Sequence, residues 1–297
     1  VVQKGISFLP ASHKINYLFQ KYVTKGVILS DEYFFDRLGH GAFHAKAFTR
    51  FRNRLPHSTL ELGTGWYPVV PVAMFLFGAD HIVTIDITPL CDKGKLITTI
   101  NKMIDAIAKN QVDPVFLQNK ERIGELKKLA ADAPSMSMDE ILEKLRITYL
   151  ETDARKLPYP DQTFDLVHSN NTYEHIYEPI LKGIIREFKR IQKKDGLQSH
   201  FIDMSDHFAH ADTSITIYNY LQYTEAKWLR MDNSVQPQNR MRINQYRALY
   251  KLEGLHILQE ELRPGDAKAL ESVKLEEPFR SFSKEDVLPS HGYVVSE

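Results

Sequence analysis

The residues with the plainest chemical potential are a glycine turn, Gly63-Thr64-Gly65, and the carboxylate Asp86 further along the chain. Two glycines free the backbone to come close to a ligand. A carboxylate offers two acceptor oxygens, which suit the paired hydroxyls of a ribose. Turn and acid together describe a nucleotide-type cofactor site. Two histidines, His175 and His207, sit in polar segments downstream. An imidazole titrates near neutral pH, so either one can take a proton from a reacting hydroxyl.

The elements that must position these groups can be read around them. Leu60 and Leu62 belong to a strand before the turn, and Val69 to Ala79 is an apolar helix in which Pro71 lies near the start, where proline is tolerated. Ile82, Val83 and Ile85 form a second strand closed by Asp86. Ile147 to Leu150 reads as a third strand, Phe164 to Asn170 as a fourth, and Phe201-Ile202, opened by Gly196, as a fifth. Pro179 to Ile191 is an amphipathic helix between the last two. Strands near Ile257 to Leu262 and Gly292 to Ser296 close the chain. Alternating strands and helices predict an α/β fold with a mostly parallel sheet and right-handed crossovers. Ligands in such sheets lie beyond the carboxyl ends of the strands, which selects Gly63 to Trp66, Asp86, Asp153, Ser169 to His175 and Asp203 to His210.

Three helical additions surround this frame. Residues 1–54 form a helical cap, with Ile15, Leu18, Phe19 and Tyr22 on one face and Tyr33, Phe34, Leu38 and Phe43 on the next; residues 55–297 form the main domain. Residues 91–146 are more than an ordinary crossover needs, with breaks at Pro114 and Pro134, and residues 208–246 read as a lid rich in tyrosine.

Composition narrows the partners. Lysine plus arginine equal aspartate plus glutamate at 38 each, which is unlike the basic footprint of a nucleic-acid binder. Cys91 is the single cysteine, so an internal disulfide and a cysteine-based zinc site are excluded and a reducing cytoplasm is expected. No apolar run is long enough to span a bilayer, and no signal peptide is visible. The expected partner is a small molecule, with no nucleic acid and no membrane; the oligomeric state is left open, a homodimer included.

The choice of cofactor rests on several motifs. A dinucleotide fingerprint needs a third glycine where the chain has Pro68, which argues against an NAD(P)-dependent oxidoreductase. Glu61-Leu62-Gly63-Thr64-Gly65, Asp86, Asp153-Ala154 before Leu157-Pro158-Tyr159, and Phe164 to Ser169 together resemble the class I S-adenosylmethionine-dependent methyltransferases. The resemblance covers roughly Ser58 to Asp206 outside the helical addition. It implies a doubly wound seven-stranded sheet, with S-adenosyl-L-methionine as the cofactor. It places Gly63 and Gly65 at the methionine part and Asp86 at the ribose, with Glu61, Thr64 and Ile87 also among the cofactor-binding residues. Asp153 and Ala154 fall at the adenine, and Ser169 or Asn170 at the amino-acid end. The chain departs from the family at Tyr67, where a third glycine is usual, so Trp66 and Tyr67 make the turn bulky and fall to the substrate side.

What remains is the reaction. Methyl transfer to a hydroxyl needs alignment and a base. His207 lies near the end of the fifth strand, which resembles small-molecule O-methyltransferases, and His175 is the second candidate. Tyr173, His210 and Arg240 are expected to meet the substrate, with Asn239 and Arg242 beside them. His200, Asp203, Asp206, His207, His210 and Asp212 are all metal-ligand types, yet strand alternation separates His200 from Asp203, and no metal is assigned. The expected activity is O-methylation of a small hydroxylated molecule, a sugar or natural product. The contrasting readings are the oxidoreductase and a cofactor-binding protein without catalysis.

Overall fold

A computed structural model describes residues 28–210, 212–233 and 237–297. The face carrying Ile15, Leu18, Phe19 and Tyr22 lies outside the described residues. Helix α1 (Asp31–Arg52) starts at Ser30, whose hydroxyl accepts from the Tyr33 amide. Asp31 and Glu32 in its first turn and Arg50 and Arg52 in its last match the helix dipole. Phe34, Leu38, Ala45 and Phe48 are its buried apolar face, and His40 and His44 are buried with them.

Strand β1 (Ser58–Leu62) leads through the glycine turn into α2 (Val69–Phe77), then β2 (His81–Asp86). All nine residues of α2 are buried, as expected of a helix apolar on every side. Helices α3 (Lys93–Ala108), α4 (Lys120–Asp132) and α5 (Met138–Lys144) follow, with short 3₁₀ turns at Pro114–Phe116 and Ala133–Ser135. The two prolines therefore break the region, because neither can continue a helix behind it. A capping box between Ser137 and Glu140 starts α5.

The chain continues through β3 (Ile147–Glu151), β4 (Phe164–Asn170), α6 (Glu178–Ile191) and β5 (Gln192–Asp203). Strand β5 begins directly at the end of α6, four residues before Gly196, where the sequence suggests an opening. The polar run Lys193-Lys194-Asp195 resembles a turn, but Gln192 spans it by donating from Nε2 to the Gly196 carbonyl. Helices α7 (Glu225–Met231) and α8 (Ile243–Leu252) precede β6 (Ile257–Arg263). Short helices α9 (Ala267–Glu271) and α10 (Lys284–Val287) lead to β7 (His291–Ser296).

Seven strands form one mixed sheet in the order β3-β2-β1-β4-β5-β7-β6. Strand β1 pairs in parallel with both β2 and β4, and β2 with β3. The winding proceeds outward from β1 to β3 and then returns to β4 on the other side of β1. That reversal is a topological switch point, and the glycine turn leaves β1 there. The result is a doubly wound sheet with its last strand inserted between β5 and β6.

The described chain packs as two compact units. One comprises Leu29–Asn170, Ile184–His200 and Val295–Glu297; the other contains Asn171–Gly183 and Phe201–Val294. The second has its own core of Tyr218, Tyr220, Leu221, Trp228, Leu270, Phe279 and Val287. Among the described residues no helix is long and apolar enough to cross a membrane.

Candidate active site

In the first unit the glycine turn is built to hold an acid. Gly63 and Gly65 have φ of 87° and 62°, in the left-handed region that side chains disfavour. The Gly63 amide donates to the Ile85 carbonyl at 2.8 Å, and the Gly65 amide donates to Asp86 Oδ2 at 3.1 Å. Asp86 Oδ1 accepts from the Thr88 amide at 3.2 Å. Burial raises the Asp86 carboxyl above its ordinary value, opposed by the amides of Gly65, Thr88 and Ile87. Gly65 and Thr88 approach different oxygens of the carboxylate, which keeps acceptor capacity for a ligand. Next to it the Ile87 side chain is 76% exposed, an apolar surface beside a polar anchor. A Cβ placed on Gly65 would find only the Tyr33 hydroxyl, at 4.0 Å, so the surface of the turn is open. Tyr33 thus reaches the turn from α1, although its spacing suggested a packing role.

Glu61 and Thr64 lie beneath the turn rather than on it. Thr84 Oγ1 donates to Glu61 Oε2 at 2.9 Å and lies 2.6 Å from Thr64 Oγ1. Burial pushes the Glu61 carboxyl up to about 8, against the Thr84 hydrogen bond and the Arg37 charge. Trp66 turns toward α3, with Lys95 Nζ 5.1 Å from its ring centroid. The Tyr67 carbonyl accepts from the Val69 amide at 2.8 Å across Pro68, a one-residue reversal that lets α2 start without a third glycine. Both rings are half-buried.

The other expected cofactor contacts of this unit are placed differently. Asp153 is exposed and both its oxygens are held by Arg155, which lowers its pKa; Ala154 beside it is buried. Ser169 and Asn170 do not present free polar atoms to a ligand. Ser169 Oγ lies 2.8 Å from His200 Nδ1, and Asn170 Oδ1 lies 2.8 Å from His44 Nε2. The other ring nitrogen of His44 meets Ser199 Oγ at 2.7 Å, and its ring stacks on His168 at 5.1 Å. Burial drives the pKa of His44 down to about 3 and those of His168 and His200 well below 6.5. This buried polar layer fixes α1 to β4 and β5, and it claims the strand-end residues that the sequence assigned to the cofactor.

In the second unit both base candidates fall in one cluster. The rings of His175 and His207 are 5.0 Å apart, and His210 stacks on His207 at 5.4 Å. His175 Nδ1 must donate to the Pro237 carbonyl at 2.7 Å, which leaves Nε2 as its basic nitrogen. His207 Nε2 lies 3.2 Å from Asp203 Oδ2, which leaves Nδ1 as the basic nitrogen there. Burial depresses the His207 pKa, but Asp203, with Glu174 and Asp206, outweighs it and the net shift is upward. Asp203 also pairs with His291 at 3.2 Å and is held far below the usual carboxylate range. Glu174 is 1% exposed, and neither carboxylate oxygen has a hydrogen-bond partner among the described residues. Burial raises its carboxyl to about 8, against the backbone amides of Glu174 and Asp203, which favour the charged form. Sequence reading passed over Glu174 because a Glu-His pair in this position is common as packing. Metal-ligand types do meet here, but as Glu174, His175 and His207 rather than the six weighed along β5 and its loop.

Three residues expected at the substrate are structural. Tyr173 is fully buried, close to Tyr250 and Tyr246. Arg240 is 7% exposed and donates to the Tyr220 carbonyl at 2.9 Å, the Tyr223 carbonyl at 2.5 Å and Glu225 at 2.5 Å. Arg242 is 0% exposed and donates to the carbonyls of Met204, Val287 and Pro289. Their guanidinium groups hold loops together, so neither is left for an anionic substrate. His210 is exposed, with Nε2 3.3 Å from Ser205 Oγ.

Residues 120–199 match the family model of the methyltransferase domain. The matched stretch runs from α4 to β5 and includes Asp153, Ser169, Asn170 and His175. No curated protein matches the chain. Among solved structures, the PH0226 protein from Pyrococcus horikoshii OT3 is similar at 13% identity and a TM-score of 0.48, over 96% of this chain and 98% of that one. An S-adenosylmethionine-dependent methyltransferase from Mesorhizobium loti is similar at 14% identity and a TM-score of 0.43, over 84% and 95%.

Proposed function

We propose that this chain is a class I S-adenosylmethionine-dependent methyltransferase and that it methylates an oxygen of a small hydroxylated molecule, such as a sugar or natural product. When bound, S-adenosylmethionine supplies a methyl group on a sulfonium sulfur, open to in-line displacement by an oxygen lone pair.

The observation that carries the reading is the glycine turn tied to Asp86 with Ile87 exposed beside it. Asp86 accepts from the two ribose hydroxyls through lone pairs its backbone amides leave free. Ile87 covers one adenine face and loses its exposure on binding. The open surface at Gly65 admits the methionine part, with the Tyr33 hydroxyl near it. Glu61, Thr84 and Thr64 hold the turn from below.

His207 is assigned the proton of the acceptor hydroxyl. Its Nδ1 is the basic nitrogen, and Asp203 on Nε2 fixes the tautomer and stabilises the imidazolium once formed, as in other carboxylate-histidine pairs. His175 stands beside it as the alternative acceptor. Oxygen as the methylated atom is supported by this paired base, since a neutral amine would need less help.

The test is methyl transfer from labelled S-adenosylmethionine to matched panels of hydroxylated and amino-bearing small molecules. Label in the hydroxyl panel supports the reading. Label confined to the amines overturns the choice of oxygen, and uptake only into protein or nucleic acid overturns the choice of a small molecule.

A further inference from the structure

The Asp203 carboxylate is held between two imidazoles. Its Oδ2 lies 3.2 Å from His207 Nε2, and its Oδ1 lies 3.2 Å from His291 Nε2. Asp203 is held far below the usual carboxylate range, so it is ionised and only accepts. His291 must therefore carry a proton on Nε2 and donate it.

The sheet brings the outer imidazole into place. Asp203 ends β5 and His291 begins β7, the strand beside it. The Met204 amide donates to the Ser290 carbonyl at 2.7 Å, which sets the register of the two strand ends. The His291 ring stacks on Phe201 at 5.8 Å with 17° between planes, and its Nδ1 lies 3.0 Å from Ser290 Oγ. The Ser205 amide adds a bond of 2.8 Å to the same Asp203 Oδ1.

Asp203 is 4% exposed, and burial works against its charge. The donors from His207 and His291 outweigh that cost. With His207 as its only imidazole partner, the carboxylate would be freer to turn and better placed to share the proton that His207 takes up. We infer that His291 is a positioning residue: it holds the Asp203 carboxylate against His207, so that the proton leaving the acceptor hydroxyl stays on His207. This rests on His207 being the base, as proposed above. His291 touches neither cofactor nor acceptor in this role and acts only through Asp203.

A ring that merely packs on Phe201 and a ring that donates to Asp203 respond oppositely to two substitutions. His291→Phe keeps the stacked ring and removes the donor. His291→Gln removes the ring and keeps a donor of similar reach. Both are made in the full chain and assayed with labelled S-adenosylmethionine and a hydroxylated acceptor. His291→Phe should melt like the parent, bind the cofactor equally in calorimetry and keep KM within about twofold. Its kcat should fall about 10–100-fold, the scale of outer partners that orient a histidine. His291→Gln should recover most of that loss. Parent-like kcat in His291→Phe, or an equal loss in both variants, overturns the inference.

Nitrogen NMR of the imidazoles in the unsubstituted chain gives a second reading that needs neither variant nor methyl transfer. His207 and His291 should each carry a proton on Nε2. A His291 protonated on Nδ1 alone cannot donate to Asp203 and overturns the inference. This measurement decides if the variants misfold. If the parent methylates no hydroxyl, the reading of the reaction fails, and the NMR result judges the His291 contact by itself.

Discussion

The buried histidine layer behind β4 makes the fold acid-sensitive in a way one substitution can isolate. His168 is 1% exposed, its Nδ1 has no hydrogen-bond partner among the described residues, and its pKa lies well below 6.5. Its folded pKa is depressed, so the unfolded chain binds a proton that the folded chain refuses. Its contribution is intact above pH 6.5 and falls as the pH drops below that value. With an unfolded pKa of about 6.5, the loss is RT ln(1 + 10^(6.5 − pH)), under about 0.1 kcal/mol at pH 7.5 and about 1.4 kcal/mol at pH 5.5. His44 and His200 act in the same sense, while Glu61, held up to about 8 by burial, acts in the opposite one. The absolute pH profile therefore mixes signs, but a comparison of two proteins cancels what they share. His168→Phe keeps an aromatic ring stacked on His44 and removes one titrating group. Urea unfolding of both proteins at pH 7.5, 6.5 and 5.5 should show the variant gaining about 1.4 kcal/mol relative to the parent between the extremes. Parallel profiles, differing by a constant, would refute the claim that His168 is buried neutral.

Other consequences follow from single residues. Gly65→Ala places a Cβ in open space but at a φ of 62°, so it should cost about 1 kcal/mol of stability while weakening S-adenosylmethionine at least tenfold by filling the turn surface, as calorimetry would read. Arg242→Met leaves the Val287 and Pro289 carbonyls without their donor and the Met204 carbonyl with the Tyr220 hydroxyl alone, a loss of at least about 3 kcal/mol and a melting point lower by about 6–12 °C. Were Arg242 a substrate-facing cation instead, the melting point would stay and only KM would rise. His207→Ala should lower kcat by about 10²–10⁴ and leave cofactor affinity within about threefold. Full turnover in that variant would move proton removal elsewhere.

Legibility in the sequence followed the range of the interactions. The first two strands, the glycine turn between strand and helix, and the α/β class could be read because glycine spacing and apolar runs are local. Pro114 and Pro134 likewise marked real breaks. Ser169 and Asn170 show the opposite case. A polar residue at a strand end looks available until His44, from a helix far earlier in the chain, and His200 are seen to claim it. Arg240 and Arg242 looked available to a substrate because arginines in loops usually have free donors, and only the fold surrounds them with carbonyls. Glu174 and His207 lie on separate segments, so no spacing could announce that they meet. The bulk of Trp66 and Tyr67 proved harmless to the turn, since Pro68 reverses the backbone in one residue and Trp66 packs toward Lys95.

The central claim is that Asp86 and the glycine turn hold the ribose of S-adenosylmethionine. Calorimetric titration of the parent and of Asp86→Ala with this cofactor tests it most directly. Two hydrogen bonds to a charged acceptor, about 1.5–3 kcal/mol each, predict a Kd raised at least about 100-fold in the variant, with folding unchanged by circular dichroism. Equal affinity in the two proteins, or no binding by the parent, would contradict the account.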